Sequence, residues 1–147
     1  MNGVRVFVSG KKFEILKKTV GKSAQRVIKA LNKDNSLVEV YLISNKQMRF
    51  LNKRFRGKNE TTSVLSFNEP KNFPHPEIKK KGGKIRAIGE IYLNPGYIKE
   101  RKKEKRKNVL NKLLVHGLLH LLGYNHKKKN DRIRMEKKEK KILANLH

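Results

Sequence analysis

Cysteine is absent from the 147 residues, and so is tryptophan. Without thiols the chain can build neither a disulfide framework nor a thiolate metal site, so any transition metal must be held by histidine and carboxylate. Acidic residues are scarce: 12 Asp and Glu stand against 38 Lys and Arg, a formal net charge of +26. Solubility does not require so large an imbalance, and it implies a polyanionic partner. Enrichment of the hyperthermophile kind would have raised Glu together with Lys. Long apolar runs are missing as well. The longest, Val109 to Leu122, is interrupted by Asn111, Lys112, His116 and His120 and falls short of the ~20 residues that cross a bilayer. The opening "MNGVRVFVSGKKFEIL" has no basic segment followed by an apolar core and a small-residue cleavage site. A cytoplasmic, soluble protein with no membrane partner is expected, and with neither an internal repeat nor a dividing linker, one domain over residues 1–147.

Periodicity orders the elements. "VRVFVS" (Val4 to Ser9) alternates like a half-buried strand, and Phe13, Ile15, Leu16, Val20, Val27, Ile28 and Leu31 follow at near-helical spacing, with Gly21 as a candidate break between two helices. "LVEVYLIS" (Leu37 to Ser44) is strand-like, and a helix is expected from Asn45 to a stop at Gly57. "TTSVLSF" (Thr61 to Phe67) and "AIGEIYLN" (Ala87 to Asn94) read as two more strands. The segment between them, Asn68 to Lys84, holds three of the four prolines and reads as a long loop. Tyr97 to Lys107, Val109 to Leu122 and Asp131 to Leu146 are helix candidates. The order β-α-β-α-β-β followed by helices predicts an α+β fold with a small mixed four-stranded sheet.

Histidine is rare, yet three of the five fall in "LLVHGLLHLLGYNH" (Leu113 to His126), among the most apolar stretches of the chain. Buried imidazoles are costly without partners. His116 and His120 are four apart, on one face of the expected helix. Gly123 can take a positive φ, end that helix and turn His126 back toward the same point. Three imidazoles with a fourth position left open is the arrangement of a catalytic zinc, whereas a structural zinc normally has four protein donors. The spacing also matches the metzincin proteases, H-E-x-x-H-x-x-G-x-x-H, in which His116, His120 and His126 take the ligand positions and Gly123 the glycine. Position 117, however, is Gly, so the protease general base is missing and peptide hydrolysis would need another.

These residues carry a resemblance. "HGLLHLLGYNH" resembles the H-G-x-L-H-L-x-G-Y-D-H signature of the YbeY family, bacterial endoribonucleases of ribosomal RNA maturation. "LNKRFRGKNETTSVLSF" is similar to that family's L-N-x-x-[FY]-R-x-x-D-x-x-T-D-V-L-S-F, and "IGEIYLN" to its G-D-I-x-I strand. The three blocks lie between Leu51 and His126, about half the chain, in the family's order and spacing. The resemblance implies that His116, His120 and His126 hold one zinc ion on a metzincin-like helix, and that cleavage depends on His116 and on Arg56 of the second block. A guanidinium facing the metal could clamp the scissile phosphate and offset charge on its oxygens. Where the family usually carries Asp, this chain has Asn59, Ser63, Glu90 and Asn125. Asn125 keeps a hydrogen-bond acceptor and loses the charge.

The expected activity is therefore zinc-dependent hydrolysis of RNA phosphodiesters. The resemblance adds 16S ribosomal RNA 3′-end maturation and ribosome quality control, with the small ribosomal subunit and ribosome assembly factors as partners. The runs "KKKGGK" (Lys79 to Lys84), "KERKKEKRK" (Lys99 to Lys107) and "HKKK" (His126 to Lys129) would grip phosphates, with affinity falling steeply in salt. A zinc metalloprotease or other zinc hydrolase, and a non-catalytic basic RNA-binding protein, are the alternatives.

Overall fold

The computed structural model describes residues 3–33, 35–68, 79–80, 83–84, 86–98 and 106–146. Strand β1 (Gly3–Val8) leads through a single turn of 3-10 helix, Lys11–Phe13, into α1 (Glu14–Ala30). Then come β2 (Ser36–Leu42), α2 (Asn45–Arg56) and β3 (Val64–Asn68), followed by the short strands β4 (Lys79–Lys80) and β5 (Gly83–Lys84), which pair with each other. Strand β6 (Arg86–Leu93), the one-turn helix α3 (Pro95–Ile98), α4 (Arg106–Leu121) and α5 (Lys129–Ala144) complete the order. The main sheet runs β1-β2-β6-β3, with β1, β2 and β6 parallel and β3 antiparallel to β6. It is the mixed four-stranded sheet of an α+β fold that the sequence predicts.

One expectation needs correction. Helix α1 is continuous through Gly21, not two helices broken there. A mid-helix glycine costs about 1 kcal/mol relative to alanine, less than is gained by keeping Val20, Ala24, Val27 and Ile28 together in the core, where all four are fully buried. The charged helix expected over Tyr97 to Lys107 falls mostly outside the described residues; of its span, Tyr97 and Ile98 are helical in α3, and Arg106 and Lys107 in α4. Residues 99–105 lie outside the described residues, as do 69–78 of the proline-rich segment.

Alternation sorts the strands into two faces. Val4, Val6 and Val8, Val38, Val40 and Leu42, and Ile91 and Leu93 join α1, α4 and α5 in one apolar cluster. The opposite face carries a row of aromatic rings. Phe7 stacks on Tyr41 at 5.0 Å and Tyr41 on Tyr92 at 4.7 Å, while Phe67 meets Tyr92 and Phe55 edge-on at 5.7 and 5.4 Å. Beside this row, Glu39 accepts from the Tyr41 hydroxyl at 3.2 Å and Glu90 from that of Tyr92 at 3.4 Å. Burial and these carboxylates raise both phenols, Tyr92 to about 12.

Helix α2 has the stop and start that its sequence predicts. Ser44 and Gln47 form a reciprocal capping box, and Gly57 at φ 71° ends the helix. Asn94, fully buried, ties the loop before β3 to the start of α2, donating to the Asn45 side chain, to Thr61 Oγ1 at 2.9 Å and to the Thr62 carbonyl at 3.3 Å. Helix α4 lies across the sheet between α1 and α5 with Leu114, Val115, Leu118 and Leu119 fully buried. It is therefore a rigid carrier for whatever its half-exposed positions present.

Candidate metal centre

Those positions are His116 and His120, one turn apart on α4 and both partly buried. After Leu121 the chain closes in a Schellman turn. The Gly123 amide donates to the His120 carbonyl at 3.1 Å and the Tyr124 amide to the Leu119 carbonyl at 3.0 Å, with Gly123 at φ 100°. Asn125 continues the reversal, its Oδ1 accepting from the Lys127 amide at 3.1 Å. An amide oxygen makes this bond as well as a carboxylate would, so Asn in place of Asp keeps the turn.

The reversal returns His126, exposed, to the helix face. Its ring centroid lies 5.8 Å from that of His116 and 5.0 Å from that of His120, which are themselves 4.5 Å apart. One nitrogen from each of the three rings falls within 4.8 Å of the others. The Nε2 atoms of His116 and His120 approach to 3.1 Å. Burial, followed by the neighbouring rings of His116 and His126, lowers His120 below its ordinary 6.5, which favours the neutral imidazole that a metal requires. Three convergent imidazole nitrogens on a fixed helix and turn fit a divalent cation with a preference for imidazole. The sequence-predicted trio is thus brought together.

Gly117, next to the first histidine, is closely packed. A Cβ there would lie 3.1 Å from Ser66 Oγ and 3.2 and 3.3 Å from Ile91 side-chain atoms, so position 117 is pressed against β3 and β6. A side chain at 117 would have to displace Ser66 or Ile91.

Arg56, at the end of α2, donates to the Ser66 carbonyl at 2.9 Å and holds its guanidinium over the Phe67 ring at 5.2 Å. Ser66 Oγ in turn donates to the Gly117 carbonyl at 3.3 Å, and Asn68 Nδ2 to the Leu121 carbonyl at 2.7 Å. Strand β3 therefore links Arg56 on one side to the histidine helix on the other. Of the other positions where the family usually has Asp, Asn59 accepts from Arg49 Nε at 2.9 Å and the Ser63 carbonyl accepts from the Asn94 amide at 3.0 Å.

Sequence reasoning missed Ser66, Asn68 and Glu139. Glu139 Oε1 lies 3.4 Å from His116 Nδ1. A signal for it existed: on α5 it stands four residues after Met135 and three before Ile142, the two buried anchors of that helix, and an acid on an apolar stripe calls for a partner.

The family model described as Endoribonuclease YbeY matches residues 6–147. The chain belongs to the YbeY family. Curated YbeY endoribonucleases similar to it include that of Thermodesulfovibrio yellowstonii, 38% identical over 75% of this chain and 67% of the relative. Those of Sulfurihydrogenibium sp. and Aquifex aeolicus are 37% and 32% identical over 77% and 84% of this chain, and 71% and 79% of the relatives. A solution structure of a Thermotoga maritima protein is similar with a TM-score of 0.59 and 27% identity, covering 97% of this chain and 87% of the other. In this YbeY chain the family match begins within β1 and takes in every later described element, including both helices around the imidazole trio.

Proposed function

We propose that this protein is an endoribonuclease that uses one zinc ion, held by His116, His120 and His126, to cut ribosomal RNA during maturation of the small subunit. The observation that carries the reading is the convergence of the three imidazole nitrogens at the end of a buried helix, in a chain of net charge +26. When bound, the ion supplies Lewis acidity toward a phosphoryl oxygen or a water. The protein's own residues do the rest. His116 and His120 are fixed by α4 and His126 by the turn that follows, so the trio is preorganised. Arg56 has one bond to the Ser66 carbonyl among the described residues and keeps its remaining N–H groups for phosphate oxygens. As the P–O bond breaks, the charge gathering on those oxygens is offset by the guanidinium. Lys127, Lys128 and Lys129, exposed beside His126, suit the neighbouring phosphates of a single strand. Small-subunit RNA, the 3′ end of its 16S species, a part in ribosome quality control, ribosome assembly factors as partners and a cytoplasmic setting are the biological terms of the same proposal. Gly at position 117 speaks against a metalloprotease, which needs a glutamate general base at that place.

The test is cleavage of a structured ribosomal RNA fragment by the wild type beside His120→Ala, with casein as a parallel substrate. RNA cleavage lost in the variant and on chelation is expected. Casein cleavage with intact RNA would overturn the proposal, and so would RNA cleavage equal in both proteins.

A further inference from the structure

An imidazole has two nitrogens, and only one can bind a given ion; the hydrogen bond made by the other decides which. For His116 the partner comes from elsewhere in the chain, 23 residues on, where Glu139 Oε1 sits 3.4 Å from Nδ1. With Nδ1 occupied on that side, Nε2 is the nitrogen turned toward His120 Nε2, 3.1 Å away. We propose that Glu139 is the positioning residue of the metal centre: its carboxylate holds His116 in the Nδ1–H tautomer, presents Nε2 to the ion and raises the basicity of that nitrogen.

Helical spacing makes this a built contact. Met135 and Ile142 are each 1% exposed and pin α5 against α4, and Glu139 lies on the stripe between them. Its side chain is 23% exposed, against 32% for His116, so the pair is shielded on both sides while remaining at the rim of the site. The composition of α5 runs the other way, with cations at Lys137, Lys138, Lys140 and Lys141 around this acid. The inference rests on the metal reading above, and the experiment separates the two.

Zinc affinity would be measured by competition with a chromophoric chelator for the wild type, Glu139→Gln and Glu139→Ala, together with the melting point of each protein free of metal and the imidazole 15N spectrum that reports tautomer. Loss of such a partner weakens metal binding by roughly 10- to 100-fold. That loss is expected for Glu139→Ala, with Glu139→Gln intermediate because it keeps an acceptor without the charge. The metal-free melting points of wild type and Glu139→Gln are expected to coincide, a result that a purely structural role for Glu139 would not give alongside reduced affinity. In the spectrum, His116 is expected to pass from one tautomer to a mixture in Glu139→Ala. Wild-type affinity in both variants would overturn the role of Glu139 while leaving the metal centre standing. A wild type that binds no zinc would overturn the metal centre itself.

Discussion

Gly89→Ala is the substitution whose effect follows most directly from the geometry. Gly89 has φ 145° and faces Asn68 across the β6–β3 pair, and an added Cβ would stand 2.2 Å from the Phe67 carbonyl oxygen and 2.8 Å from Leu121 Cδ2. A side chain forced into that backbone region costs about 1–3 kcal/mol. The carbonyl cannot yield as a flexible side chain does, so β3 must move, which adds overpacking of about 1–3 kcal/mol. The pairing of Phe67 with Glu90 and of Asn68 with Gly89 is then disturbed, at ~1 kcal/mol for each hydrogen bond lost. A total of about 4–8 kcal/mol is expected, a large part of the ~5–15 kcal/mol that holds a domain together. The loss reaches the site, because Asn68 holds the Leu121 carbonyl at the point where α4 ends and the turn toward His126 begins. Guanidinium unfolding of wild type, Gly89→Ala and Gly10→Ala would measure it. Gly10 is extended and a Cβ there meets nothing within 4 Å, so its variant is expected within ~0.5 kcal/mol of wild type. A Gly89→Ala loss below ~1 kcal/mol would refute the argument.

Further expectations concern the site and the sheet. Arg56→Ala is expected to lower RNA cleavage by roughly 100- to 1,000-fold, the scale of removing one donor to developing charge, while zinc affinity measured by chelator competition stays at the wild-type level. Gly117→Glu is expected to gain no peptidase activity and to lose ~3 kcal/mol or more, since the carboxylate enters the packed space at Ser66 and Ile91 without a partner; casein digestion and denaturant unfolding would check both halves. Tyr92, raised from 10.0 to about 12, binds its proton more tightly in the fold than in the unfolded chain. Its contribution is therefore complete below pH 10 and lost as pH climbs through 12. Phenolate absorbance with parallel circular dichroism should show unfolding in that window, with a shallower dependence in Tyr92→Phe.

Most of what was legible was local. H-x3-H-x5-H with a glycine between the second and third histidines fixes the trio because helix pitch and one positive φ decide where three side chains go, and the structure draws them to one point. Strand and helix positions followed from periodicity for the same reason. Contacts across many residues were harder to see. That β6 inserts between β2 and β3 is a matter of chain crossing that periodicity does not encode, and Glu139 reaches His116 only because α5 folds back on α4. The unbroken α1 shows tertiary burial overriding a weak local preference at Gly21. Arg56 was visible only through resemblance, since among 38 basic residues nothing local distinguishes it; its bond to Ser66 and its seat over Phe67 do.

All three imidazoles come from one uninterrupted stretch, His116 to His126. A cation held there closes a very short loop, and so removes little entropy from the unfolded chain compared with one that staples the two ends of a domain. The same stretch, unravelled, still carries its donors within a few residues of one another and retains some hold on the ion, which subtracts from the stabilisation that ligand binding confers. Stripping the ion is thus expected to silence chemistry long before it melts the protein, leaving an inactive but intact scaffold that can be reloaded.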